Sequence, residues 1–202
     1  MNKFGEAVIL CGGKSSRMGF DKALAKVNGQ YLLEIVAGKL RKVFDTVKLC
    51  ASSREKFSFT GLEVIEDIEG AGTGPAVAIL SALVQANATN IFVTACDMPF
   101  ILPEHIAYMK SLLEGSDIAY DALIPINGEH VEPLYGFYSV SAIPVFREEV
   151  AEGRYKILNI LNKCNVMYMP DVCSRKYDPH FRMFMNLNYK DDFERMSSDY
   201  MS

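Results

Sequence analysis

The 202-residue sequence has no long apolar run, no excess of positive charge and no closely paired cysteines. A membrane-spanning helix needs about 20 consecutive apolar residues, and no segment approaches that length, so no membrane partner is expected. The formal net charge of −4 offers no general basic surface, so nucleic acid is not expected as a partner. The first apolar run, residues 7–11, is too short for the core of a signal peptide, which predicts a cytoplasmic protein.

The cysteines are odd in number, scattered along the chain and never spaced as Cys-x-x-Cys. This pattern favours reduced thiols in a core over a disulfide framework or a zinc site. The residues are Cys11, Cys50, Cys96, Cys164 and Cys173.

Short apolar segments alternate with segments of helical periodicity, which predicts an α/β fold. We expect a three-layer, Rossmann-like architecture with a mostly parallel sheet, formed by residues 1–202 as a single domain. The predicted strands are residues 7–11, 46–51, 62–65, 91–95 and 122–126, and the predicted helices are residues 31–42, 76–85, 103–113 and 141–152.

The alternation weakens after residue 126. The pair Asn127-Gly128 is typical of a hairpin turn, and it lies between two candidate strands. We therefore expect a small antiparallel insertion at the edge of the sheet. Residues 180–196 predict one more strand, an asparagine-rich turn and a terminal helix.

The stretch LCGGKSSRMGFDK places bare backbone and cations directly after a buried strand. In open parallel sheets, ligands bind beyond the carboxyl ends of the strands. Backbone N–H groups at Gly12 and Gly13 suit phosphate oxygens, Arg17 can bind two of them at once, and Lys22 supplies a point charge. The alternative is a simple glycine turn with solvated lysines, which the combination of these residues disfavours.

Two common phosphate-binding motifs are excluded. A P-loop would require glycine where the sequence has Val8, and the adjacent glycines do not give the dinucleotide pattern G-x-G-x-x-G.

The stretch resembles the signature L-x-G-G-x-S-x-R-M-G-x-D-K of the molybdenum cofactor guanylyltransferases, which are nucleotidyltransferases. The choice of the guanylyl branch depends on Gly13, because cytidylyl relatives typically have Ala-Ala-Gly there. The resemblance implies that Leu10, Cys11, Gly12 and Gly13 contact the nucleotide. The matching residues are Leu10, Gly12, Gly13, Ser15, Arg17, Met18, Gly19, Asp21 and Lys22.

A second motif, Cys-Asp-Met-Pro, follows the strand predicted at residues 91–95. Its carboxylate, Asp97, emerges at the same edge as the glycine loop. Such a carboxylate can bind Mg²⁺, which takes few protein ligands and completes its shell with phosphate and water. The alternative is an aspartate that only caps a turn. The motif is similar to the family's C-D-x-P, which implies Asp97 as the metal ligand.

Weaker matches extend the resemblance over nearly the whole chain. Asp67 matches an aspartate that contacts the nucleotide in the family. Cys50 stands where relatives have an asparagine, and Ser52 or Ser53 is an alternative contact. The sequence leaves open whether Asn186 or Asn188 assists the metal.

The resemblance implies that GMP is transferred from GTP to the phosphate of molybdenum-bearing molybdopterin and that pyrophosphate is released. Arg17, Lys22 and Asp97 are the expected catalytic residues, with Mg²⁺ as the cofactor. An adaptor protein or a recipient molybdoenzyme remains open as a further partner. Two alternatives also remain open: a related enzyme that uses CTP or a sugar phosphate, and a non-catalytic nucleotide-binding regulator.

Overall fold

A computed structural model describes residues 3–12, 24–68 and 74–187. These residues form an eight-stranded sheet and a separate two-stranded ribbon. The strands, in chain order, are β1 Glu6–Cys11, β2 Lys26–Val27, β3 Gln30–Tyr31, β4 Thr46–Ala51, β5 Glu63–Ile65, β6 Asn90–Ala95, β7 Ala122–Asn127, β8 His130–Val131, β9 Tyr135–Ser139 and β10 Val166–Met169.

Helices connect most of these strands. The α-helices are α1 Leu32–Leu40, α2 Pro75–Val84, α3 Pro103–Glu114, α4 Ile143–Ala151, α5 Ile157–Leu161 and α6 Asp171–Arg175. In the part of the chain that the structure describes, 3-10 helices span Glu55–Thr60, Val140–Ala142 and Arg182–Phe184. No helix within the described ranges has the length and apolar character required to cross a bilayer.

The main sheet has the strand order β10-β7-β9-β6-β1-β4-β5, with β8 paired to β7. Strands β6, β1, β4 and β5 are parallel to one another, and β10 is parallel to β7. The ribbon is formed by β2 and β3. The predicted α/β class with a mostly parallel sheet is confirmed.

Side chains alternate between the two faces of β1 and are buried on both. Ile9 packs in the cluster that contains α1 and α3, whereas Val8 packs in the cluster that contains α2, α4 and α5. Burial on both faces explains why the parallel strands are almost continuously apolar. The expected three layers are therefore present.

The sequence predicted the antiparallel insertion at the edge of the sheet, but the antiparallel strand β9 lies in its interior. It lies between β6 and β7 and is antiparallel to both. Strand β9 contributes side chains to the apolar clusters on both faces of the sheet, with Phe137 on one face and Tyr138 on the other. A Cβ at Gly136 would approach Cδ1 of Ile124 within 2.5 Å, so the close contact with β7 requires glycine.

Two local predictions were also wrong. The hairpin turn consists of Gly128 and Glu129, because Asn127 still pairs with His130 in the ladder. The strand predicted near residue 182 is a 3-10 helix. The carboxylate of Asp178 accepts hydrogen bonds from the N–H groups of His180 and Met183, which stabilises a turn rather than an extended chain. The terminal helix lies outside the described residues.

Candidate nucleotide-binding and catalytic site

Four parallel strands end at the same level along one edge of the sheet. Leu10 of β1 is in register with Cys50 of β4 and with Ala95 of β6, and Cys50 is in register with Ile65 of β5. The connections that leave this edge carry the predicted site residues, since Gly12, Asp67 and Asp97 each follow one of these strand ends within two residues. The fold therefore brings the three together along one edge.

The turn that carries Asp97 is anchored to β1 and to its own strand. The N–H of Cys96 donates to the carbonyl oxygen of Leu10 at 3.1 Å, which extends the parallel ladder by one step. The N–H of Met98 donates to the carbonyl oxygen of Ala95 at 3.2 Å and closes the turn around Asp97. The half-buried Asp97 is thus held at the carboxyl edge, as predicted.

Two residues from distant parts of the chain fix the outer side of this turn. The N–H of Leu187 donates to the carbonyl oxygen of Asp97 at 2.9 Å, and Nζ of Lys39 donates to the carbonyl oxygen of Pro99 at 2.6 Å. Burial lowers the pKa of Lys39, and the charge of Lys42 lowers it further. Sequence reasoning missed the role of Lys39, because no motif marks a helix lysine that supports a turn 60 residues away.

At the end of β1, the contacts available to a ligand come from the backbone. The side chains of Leu10 and Cys11 are buried on opposite faces of the sheet. Gly12 is exposed, and a Cβ built there meets no described atom within 4 Å. Among the described residues, none fills the space beside Gly12 at the end of β1.

Asp67 lies just beyond β5 and is half-buried. The thiol of Cys50 donates to Oδ1 of Asp67 over 3.6 Å. Burial raises the pKa of the Asp67 carboxyl, and the hydrogen bond from Cys50 opposes that rise. Burial also raises the pKa of the Cys50 thiol, and the charge of Asp67 raises it further. Cys50 therefore contacts Asp67 through a thiol that remains a hydrogen-bond donor at neutral pH.

The two carboxylates lie on either side of the end of β1. Asp97 follows the neighbouring strand β6, whereas Asp67 follows β5, two strands away on the other side. With neighbouring strands about 4.8 Å apart, the ends of β5 and β6 are separated by roughly 14 Å. An elongated ligand that lies across this edge would meet the two carboxylates at different ends, with Gly12 between them.

The donor set at Asp97 is of the kind that suits magnesium. Within the described ranges, no three side chains of ligand type come together to form a closed cation site. Mg²⁺ is commonly held by one or two carboxylates and completed by substrate phosphates and water. Asn186 is exposed and directly precedes Leu187, whose backbone contacts the Asp97 turn.

Several predicted site residues lie outside the described residues. They include the second glycine of the loop, both predicted cations and one of the two asparagines considered for the metal. These residues are Gly13, Arg17, Lys22 and Asn188.

Comparison with known proteins identifies the family. Residues 7–165 match the model of the MobA-like NTP transferase domain. A probable molybdenum cofactor guanylyltransferase from Peptoclostridium acidaminophilum is 35% identical, over 96% of this chain and 89% of the relative. A molybdenum cofactor guanylyltransferase from Syntrophotalea carbinolica is also 35% identical, over 96% of this chain and 90% of the relative.

A solved structure supports the same assignment. The crystal structure of molybdopterin-guanine dinucleotide biosynthesis protein A from Archaeoglobus fulgidus superposes with a TM-score of 0.82 at 29% identity, over 97% of this chain and 98% of that chain. The resemblance noted from the glycine and Cys-Asp-x-Pro motifs is thereby confirmed. The chain belongs to the MobA-like NTP transferase family.

Proposed function

We propose that this protein is a molybdenum cofactor guanylyltransferase, which transfers GMP from GTP to the terminal phosphate of molybdenum-bearing molybdopterin and releases pyrophosphate. The observation that carries the proposal is the convergence of Gly12, Asp67 and Asp97 at one edge of the sheet. The similarity to guanylyltransferases over nearly the whole chain supports the choice of substrates.

The reaction is a displacement at the α-phosphorus of GTP. An oxygen of the pterin phosphate forms the new P–O bond, and the bond from the α-phosphorus to the bridging oxygen of the β-phosphate breaks, so pyrophosphate leaves. The attacking phosphate is already an anion, so no strong general base is needed. The protein's task is to position two anions and to neutralise their charge.

Asp97 would hold Mg²⁺ at the end of β6. When bound, the ion neutralises phosphate charge and fixes the geometry of the oxygens around it. The hydrogen bonds from Leu187 and to Leu10 keep the Asp97 turn in place before substrate arrives. Arg17 and Lys22 are proposed to bind the β- and γ-phosphates and so to stabilise the leaving group.

Guanine selection is assigned to the backbone near residues 10–13. Guanine presents N1–H and N2–H₂ donors and an O6 acceptor, which backbone carbonyl and N–H groups can pair. The buried side chains of Leu10 and Cys11 and the exposed backbone of Gly12 support this assignment. A site with such hydrogen bonds rejects a base that leaves them unmade, often by several kcal/mol.

Thermal unfolding with each of GTP, CTP, ATP and UTP in the presence of magnesium tests the proposal. A ligand at a hundredfold its dissociation constant should stabilise the protein by about 2.7 kcal/mol, and GTP is expected to give the largest shift. A larger shift with CTP would favour a cytidylyltransferase. Stabilisation by GTP without pyrophosphate release, when magnesium and molybdopterin are supplied, would favour a non-catalytic regulator.

A further inference from the structure

The segment that carries Asp67 is attached on one side of the carboxylate to the residue that caps helix α2 and on the other side to α2 itself. Before Asp67, Nε2 of Gln85 donates to the carbonyl oxygen of Glu66 at 3.3 Å. After it, the N–H of Ile68 donates to Oγ of Ser81 at 2.9 Å. The fully buried Ser81 hydroxyl in turn donates to the carbonyl oxygen of Val77 at 2.8 Å, which fixes its rotamer.

A third contact acts on the carboxylate itself. Cys50 is 1% exposed, and its thiol lies 3.6 Å from Oδ1 of Asp67 and 3.4 Å from the carbonyl oxygen of Ala78 in α2. A thiol has one proton, so these two acceptors share one donor. The side chain of Cys50 therefore links strand β4, helix α2 and the carboxylate of Asp67.

The charge of Asp67 decides which part of a nucleotide it can face. A carboxylate repels the triphosphate. It can, however, accept hydrogen bonds from the N–H groups of a base and from the hydroxyl groups of a ribose. The position of Asp67, two strands from β1 on the side away from Asp97, is consistent with contact to the nucleoside half.

We propose that Cys50 and Ser81 are positioning residues that hold the Asp67 carboxylate in the orientation in which it accepts hydrogen bonds from the nucleoside of GTP. This inference rests on the proposed function. In this chain, the thiol at position 50 acts through Asp67 and does not itself contact the nucleotide. Burial raises the pKa of the Cys50 thiol, so the thiol stays protonated and can donate its hydrogen bond to Asp67.

The test is a double-mutant cycle on nucleotide affinity, measured by calorimetry with GTP and magnesium in the absence of molybdopterin. Cys50→Ala is expected to raise the dissociation constant roughly three- to tenfold, the equivalent of one net hydrogen bond. Cys50→Ser retains a donor and should stay within about twofold of the native protein. In an Asp67→Asn background, Cys50→Ala should add less than about twofold, because its target is already altered.

Ser81→Ala provides a second variant that does not alter the thiol, and it should also weaken GTP binding and couple to Asp67→Asn. Cys164→Ala is the matched control and should leave affinity unchanged, because Cys164 lies just before β10, at the opposite end of the strand order from β5. Circular dichroism checks that each variant is folded. With pyrophosphate release as a second readout, the Michaelis constant for GTP should rise while kcat changes less than about twofold.

Equal effects of Cys50→Ala in the native and Asp67→Asn backgrounds would overturn the inference, as would unchanged affinity in both folded Cys50→Ala and folded Ser81→Ala. Failure of the proposed function has a different signature. In that case the native protein would prefer another triphosphate, and the same cycle measured with that triphosphate would still report whether Cys50 acts through Asp67.

Discussion

The backbone N–H of Leu187 lies 2.9 Å from the carbonyl oxygen of Asp97, so the last described segment of the chain closes against the turn at the end of β6. This contact joins two motifs that are 90 residues apart in the sequence, the Cys-Asp-Met-Pro turn and the asparagine-rich stretch around Asn186. It places the backbone of both motifs at the candidate metal site.

Asp97→Asn should keep the fold and remove most magnesium-dependent turnover. The side chain is half-buried at a strand end, and the change removes its charge at nearly constant shape, so stability should change little. We expect a loss of at least about a hundredfold in kcat, as for other electrostatic catalytic groups, measured as pyrophosphate release. Asp117→Asn, at an exposed position after the end of α3, is the control. Native-like activity of the Asp97 variant would contradict the metal assignment.

Gly12→Ala should weaken GTP binding without destabilising the protein. Gly12 has no left-handed φ, and a Cβ there meets no described atom within 4 Å, so no contact among the described residues opposes alanine. The methyl group would occupy space assigned to the nucleotide, and we expect the dissociation constant to rise about tenfold, as for modest overpacking. Gly38→Ala, on the exposed face of α1, is a matched control with equally open space. If both variants bind GTP like the native protein, the ligand does not lie against Gly12.

Lys22→Ala should reduce affinity for GTP more than affinity for GMP. Lys22 lies outside the described residues, and the prediction follows from its assignment to the β- and γ-phosphates, which GMP lacks. Calorimetry with both nucleotides measures the difference, and Lys176→Ala, an exposed lysine after α6, is the control. An equal loss of affinity for the two nucleotides would show that the lysine does not contact the terminal phosphates.

The buried His105 should make the protein less stable in mild acid. Its ring nitrogens lie 3.2 Å from the hydroxyl of Tyr135 and 3.1 Å from that of Ser174, and burial lowers its pKa to about 4. Between the unfolded pKa of about 6.5 and pH 4, the unfolded chain binds a proton that the folded chain excludes. The free energy of unfolding should therefore fall as the pH is lowered through this window, by up to about 3 kcal/mol.

Urea unfolding at pH 7, 5 and 4 measures this effect. His105→Gln should flatten the pH dependence between pH 6.5 and 4, whereas His180→Gln, at an exposed position, should leave it unchanged. Hydrogen bonds with Arg154 and Lys163 lower the pKa of Glu149 to about 2. Acidic groups of this kind cause a further decrease in the free energy of unfolding below about pH 4.5. If the free energy of unfolding depends on pH in the same way in His105→Gln and in the native protein, His105 is not the source of the acid sensitivity.

Strands that are buried on both faces could be predicted from the sequence, because they are short, apolar and bounded by turns. Strand β4 matches its predicted range, Thr46–Ala51, and β1 and β6 differ by one residue at their starts. Strand β10 could not be predicted, since it has four residues and lies at the edge of the sheet with only Met169 fully buried. The interior position of β9 was missed, because pairing partners are not visible in local periodicity.

The candidate site also has features that the sequence predicts and features that it does not. The placement of Gly12 and Asp97 at the carboxyl edge could be predicted, because each lies in a short motif directly after an apolar strand. The attachment of Asp67 to α2 could not, since Cys50 and Ser81 are 17 and 13 residues away from their partners and belong to no motif. The single domain and the cytoplasmic location stay predictions.

A competition among nucleotides in the complete reaction tests most directly whether this protein is a guanylyltransferase. Purified protein is supplied with magnesium, molybdenum-bearing molybdopterin and equal concentrations of GTP, CTP, ATP and UTP, and both pyrophosphate and the dinucleotide product are measured. We expect pyrophosphate release to match formation of the guanine dinucleotide, with GTP consumed in strong preference to CTP. Equal catalytic efficiency with CTP, or a cytosine dinucleotide as the main product, would contradict this expectation.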